Sequence, residues 1–138
     1  MRWIVASLLM ALGGCSPAKP FGCANDLRET KPDMDGQLIA YRYVRVCGAT
    51  TQDTTQVAIG RRGESPGKAE IVLILAPGAE DGSDMEGKAV WSEMHWTAPH
   101  KLSVAYSDKA RLVKSGKVAL GASIQYRATS RLTLPQVD

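Results

Sequence analysis

The sequence predicts a mainly β protein, an antiparallel sandwich, roll or small barrel of six or seven strands with at most one or two short helical turns. Short runs rich in Val, Ile, Leu, Tyr and Trp recur along it. Stretches of Gly, Pro, Asp, Ser and Thr separate those runs, and no long segment repeats its apolar residues at helical spacing. With 138 residues, 44% of them hydrophobic and 22% charged, the chain is long enough to bury one core of its own. Only one Phe is present, so Trp, Tyr and aliphatic side chains must fill that core.

The first element is Met1-Arg2, then the apolar run Trp3 to Leu12, then Gly13-Gly14-Cys15. The run is shorter than the roughly 20 residues that a membrane-spanning helix needs, and it suits the h-region of a secretory signal. Leu12-Gly13-Gly14-Cys15 resembles the lipobox of bacterial lipoproteins, whose small residues admit the signal peptidase to the bond before the cysteine. The resemblance implies that residues 1–14 are a lipoprotein signal peptide. It also implies that the Cys15 thiol carries diacylglycerol and that its freed amine gains a further acyl chain such as palmitate. Two or more chains anchor stably, since each buried methylene contributes about 0.8 kcal/mol. Ser16 stands where an aspartate would favour inner-membrane retention. The implied location is therefore the outer membrane facing the periplasm, or the cell membrane of a host with a single one.

Lipidation of Cys15 leaves two of the three cysteines, Cys23 and Cys47, as a pair in an oxidising compartment. A disulfide between them would close a loop of about 25 residues and stabilise the fold by about 3.5 kcal/mol on the chain-entropy relation. No C-x-x-C occurs, so a catalytic thiol has no support. Residues 15–36 read as a lipidated tether and N-terminal segment, and residues 37–138 as a single β-domain. Within the tether Ser16 to Pro20 is a stiff linker, and Asn25 to Thr30 fits one helical turn with Asn25 as N-cap. Lys31 to Gly36 is a turn.

Leu38 to Val46 is the first predicted strand. Leu38, Ala40, Val44 and Val46 fall on one face and Ile39, Tyr41, Tyr43 and Cys47 on the other, which predicts a strand covered on both sides. Arg42 and Arg45 interrupt opposite faces, so each needs solvent, an aromatic ring or a carboxylate. Gly48 can take the positive φ of a tight exit, and Thr50, Thr51, Asp53, Thr54 and Thr55 can bond nearby backbone. A second strand returns with Thr55, Val57 and Ile59 on one face and Gln56 and Ala58 on the other.

Arg45-Val46-Cys47-Gly48-Ala49-Thr50-Thr51 followed by Thr55-Gln56-Val57-Ala58-Ile59 resembles the R-x-C-G-A-T-T and T-x-V-[AS]-I signature of a group of uncharacterised bacterial proteins. The group continues with a tryptophan-containing strand, here Val90-Trp91 or His95-Trp96, and an L-x-I/V-x-Y strand, here Leu102 to Tyr106. The resemblance spans Gln37 to Arg127 and implies no known activity. Val46 stands where that group often has aspartate, so no acid adjoins Cys47.

Arg61 to Lys68 reads as a solvated loop whose two arginines form a hydrated tip. Ala69 to Ala76 lacks alternation and is expected as a central strand buried on both faces. Pro77 to Gly87 holds Glu80, Asp81, Asp84 and Glu86 but lacks the calcium-loop pattern. Lys88 to Trp96 is a further strand ended by Pro99, with Trp91 and Trp96 as core or rim aromatics. Lys101 to Ser107 places Leu102, Val104 and Tyr106 on one face. Lys117 to Arg127 places Val118, Leu120, Ala122, Ile124 and Tyr126 together, with Gly121 a candidate bulge. Both are expected to be antiparallel. Asp108 to Gly116 reads as a loop or helical turn, and Leu132 and Leu134 as a short final strand.

The net charge of +3 falls to +2 when Arg2 leaves with the leader, and the basic residues are scattered along the chain, which disfavours nucleic acid as a partner. No G-x-S-x-G, phosphate-binding loop, H-E-x-x-H or dinucleotide glycine set occurs. No catalytic residue, metal or cofactor is therefore assigned. The expected function is a non-catalytic module tethered to the membrane through Cys15, binding an envelope protein or polymer. The alternative is a small periplasmic hydrolase or metal-dependent enzyme using His95, His100 and Glu93.

Overall fold

The structure, a computed structural model, describes residues 23–48, 52–78, 85–86 and 89–130. Its strands are β1 (Ala24–Pro32), β2 (Leu38–Val46), β3 (Thr54–Arg61), β4 (Glu70–Ala76), β5 (Met85–Glu86), β6 (Ala89–Val90), β7 (Ser92–Ala98), β8 (Lys101–Ser107), β9 (Arg111–Ser115), β10 (Val118–Ala119) and β11 (Ala122–Thr129), with one 3₁₀ turn at Pro66–Lys68. A five-stranded sheet has the order β1-β2-β3-β4-β9, and a four-stranded sheet the order β10-β11-β8-β7. β5 and β6 form a two-residue ladder of their own.

The core is the layer between the two larger sheets. Leu38, Ala40, Val57, Ile59, Leu73 and Leu75 of the first sheet meet Met94, Trp96, Leu102, Val104, Ala122 and Ile124 of the second in one buried cluster. Alternation along each strand puts these residues on facing surfaces, so the sandwich follows from the period-two pattern. β2 and β3 are also covered on their outer side. There Tyr41, Tyr43 and Ala58 form a second cluster with Ile39, Ala69 and Ile71 against it. Gln56, buried on that side, accepts from the Tyr43 hydroxyl at 2.9 Å and donates to Thr54 Oγ1 at 3.0 Å. The expected double burial of the strand Leu38–Val46 therefore holds, and Trp91 and Trp96 are both buried.

Four local expectations are corrected. Asn25 to Thr30 is not a helical turn: it belongs to β1, paired antiparallel with β2, so the sheet begins inside the stretch read as tether. Asp108 to Gly116 supplies another strand, β9, at the far edge of the same sheet. Lys117 to Arg127 is not one strand. Leu120 and Gly121 both have positive φ, 49° and 81°, and join β10 to β11 in a tight hairpin. That is the backbone of a two-residue primed turn. The reversal puts Ala119 in the core and leaves Val118 outside, opposite to the single-strand reading. Finally, β11 pairs with β8 parallel, not antiparallel. Local alternation is the same in both arrangements, so strand sense was invisible to it. The expected strand at Leu132 and Leu134 lies outside the described residues.

Candidate functional site on the open flank

The two long flanks of the sandwich are built differently. On the flank of β1 and β7 the sheets are tied together: Lys31 Nζ donates to Met94 O at 2.7 Å, and Trp96 Nε1 donates to Lys31 O at 2.9 Å. Below them Asp33, whose side chain is 0% exposed, joins the β1–β2 turn to the β7–β8 turn. Its carboxylate accepts the Met34 N–H at 2.6 Å and the His100 N–H at 3.0 Å. His100 has φ 59°, a left-handed conformation that costs a non-glycine residue about 1–2 kcal/mol. The Asp33 bond and a 2.7 Å contact from His100 Nε2 to Asp35 Oδ2 hold it there. Asp35 in turn accepts the Gln37 N–H, and that bond leads the causes that keep its carboxyl below the ordinary carboxylate value.

Asp33, Asp35 and His100 bring three donor atoms within 4.8 Å of one another. Both Asp33 oxygens already accept backbone N–H groups, so the cluster works as a turn lock. It was missed in the sequence because Asp33 and Asp35 lie 67 and 65 residues from His100. The trio of Glu93, His95 and His100 is not assembled. Glu93 and His95 lie on the exposed face of β7, while His100 is turned to the acids of the β1–β2 turn.

Cys23 and Cys47 are joined by a disulfide, which staples the open end of the β1–β2 hairpin just beyond the Ala24–Val46 pair. Arg42 Nε donates to Glu29 Oε2 at 3.0 Å and Arg45 to Asn25 Oδ1 at 3.1 Å, so both arginines of β2 are satisfied by β1. Gly48 adopts the expected positive φ, 127°. Cys15 lies outside the described residues. Among those residues no helix is long and apolar enough to cross a membrane.

Among the described residues the opposite flank is open. β9 ends the first sheet, β10 reaches only the first two residues of β11, and a cavity of about 520 Å³ lies between. Leu112, Tyr106, Ile124 and Tyr126 make its apolar floor, and Ser115, Lys117 and Gln125 its polar rim. The Tyr126 hydroxyl shares its proton between Val72 O at 3.1 Å and Gly116 O at 2.5 Å, which ties the second sheet to the 116 turn. Burial, with a smaller push from Tyr106, raises its pKa to about 12. Leu112 and Val113 are 45% and 51% exposed, unusual for β9 positions that have a core layer beside them.

Charge follows the same division. From Lys101 to Arg127 the chain carries six basic residues and one acid, Asp108. Three of those six, Arg111, Lys114 and Lys117, lie on β9 and the turn after it. The family, protein and structure comparisons find no match to this chain, so the open flank is read from its own geometry.

Proposed function

We propose that this chain is a lipid-anchored, non-catalytic binding module of the bacterial envelope, allied to the group that carries the R-x-C-G-A-T-T signature. Cys15 holds it to the outer membrane, or to the cell membrane in a host with one. The open flank of the sandwich engages an envelope protein or polymer in the periplasm. The observation that carries the reading is the contrast of flanks. Both flanks carry cross-sheet hydrogen bonds, but at the β1–β7 flank the sheets close on each other and a disulfide staples the hairpin. At the other a cavity of about 520 Å³ lies between the sheets, and among the described residues the β9 edge and the half-exposed Leu112 and Val113 stay in contact with solvent.

Two measurements test it. Intact mass of protein from its native membrane shows a lipid-sized increment that a Cys15→Ser strain lacks; an unlipidated product would remove the anchor. A photo-crosslinking residue placed at Leu112 in living cells captures a reproducible envelope component. The same residue at Leu27, on the exposed β1 edge, does not. Equal yields at both positions would defeat the assignment of the flank.

A further inference from the structure

We infer that the partner of the open flank is an extended acidic segment of another protein, which adds to the first sheet as a strand beside β9. The inference rests on the reading of that flank as the binding face and names the chemistry of its occupant.

Among the described residues β9 is hydrogen-bonded to β4 alone, and its outward N–H and C=O groups face no other described strand. Such an edge is a template for an incoming strand unless it is blunted. The other edge of the same sheet is blunted. β1 ends at Pro32 and neutralises its own charges through Arg28–Asp26, Lys31–Glu29 and Arg42–Glu29 pairs, while a bulge, between Leu27 and Glu29 on β1 and at Val113 on β9, is common to both edges. On β9 and the turn after it, Arg111, Lys114 and Lys117 make no ion pair with any described residue. Two cationic edges of this kind would repel each other, which disfavours a second copy of the chain as the occupant.

Register assigns the faces. Leu112 opposes Leu75 and Ser115 opposes Leu73, both core residues, so these two point toward the interlayer cavity. Arg111 opposes Ala76 and Lys114 opposes Ile74, on the outer side. A strand laid along β9 therefore meets apolar ground on one face and cations on the other. The cavity between Leu112, Ile124, Tyr106 and Tyr126 has room for the apolar side chains of that strand. Its complement is a segment that alternates apolar and acidic residues. A polyanion without a peptide backbone would satisfy the cations and leave both the edge and the apolar floor unused.

The test uses the full chain in detergent with a labelled, end-blocked peptide alternating valine and glutamate. Controls are the same peptide with lysine for glutamate, and inorganic polyphosphate. The expected result is saturable binding of the glutamate peptide, weaker by about tenfold when Lys114→Glu and Lys117→Glu are combined. Arg28→Glu on the β1 edge leaves binding unchanged. Amide exchange at residues 111–115 slows on binding. Equal binding of the lysine peptide, unchanged exchange at 111–115, or preference for polyphosphate over peptide would overturn the inference. A partner crosslinked at Leu112 while the glutamate peptide fails to bind overturns the acidic-strand inference and leaves the binding-module reading standing. Failure of both defeats the two together.

Discussion

Replacing Asp33 tests whether the two turns at the sealed flank are held by one buried carboxylate. Asp33→Ala removes two charge-assisted bonds, to Met34 N and His100 N, from a side chain with no solvent exposure. Bonds to a charged acceptor contribute about 1.5–3 kcal/mol each. Met34 is itself exposed, so water replaces the Asp33 oxygen there and its bond counts at the low end. The His100 bond counts nearer the top, because it also restrains a residue at φ 59°. The expected loss is about 3–4 kcal/mol, a large part of the roughly 5–15 kcal/mol that holds a domain of this size together. His100→Gly keeps the backbone N–H that Asp33 receives and relieves the left-handed strain, while losing only the exposed Asp35 contact. It is expected to stay within about 1 kcal/mol of the parent. Urea unfolding of both variants, with unchanged slope, reads the difference as a shift in midpoint. An Asp33→Ala loss below about 1.5 kcal/mol, or equal losses for the two variants, would refute the lock.

Three further outcomes follow from the same geometry. Reducing the Cys23–Cys47 disulfide, which closes a hairpin with a sequence separation of 24, should lower stability by about 3.5 kcal/mol in urea titrations with and without reductant; no midpoint shift would contradict it. Tyr126 ionises in the unfolded chain near its ordinary 10.0 but only at about 12 when folded, so its contribution is intact below pH 10 and is lost as pH rises toward 12. Alkaline urea titrations should show that decline, and Tyr126→Phe should flatten it while costing about 1–2 kcal/mol at neutral pH through the lost hydroxyl bonds. Gly121→Ala, at φ 81° in the β10–β11 turn with open space where the methyl would go, should lower stability by about 1–2 kcal/mol through its left-handed backbone; an unchanged melting temperature would contradict the turn assignment.

Strand faces were the most legible feature. Leu102, Val104 and Tyr106 on β8, and Thr55, Val57 and Ile59 on β3, turn inward as their alternation requires. The β1 and β9 edges were misread for one reason. Each is exposed along most of its length and carries polar residues, so neither has a buried face to impose a period, and only pairing with a neighbour makes it a strand. The candidate site was hidden more deeply. Leu112, Lys117 and Tyr126 lie on separate elements, and nothing in their spacing announces a shared cavity.

By itself the sequence determined the fold class, the inward faces of the central strands, and the pairing of Cys23 with Cys47. These properties depend on neighbouring residues and on the period of two that an extended backbone imposes. Only the tertiary structure decided that β11 lies parallel to β8, that Asp33 reaches His100, and that Leu112, Lys117 and Tyr126 line one cavity between the sheets. Each of those depends on which edges meet after distant strands have packed, and hydrophobic patterning carries no information about edges.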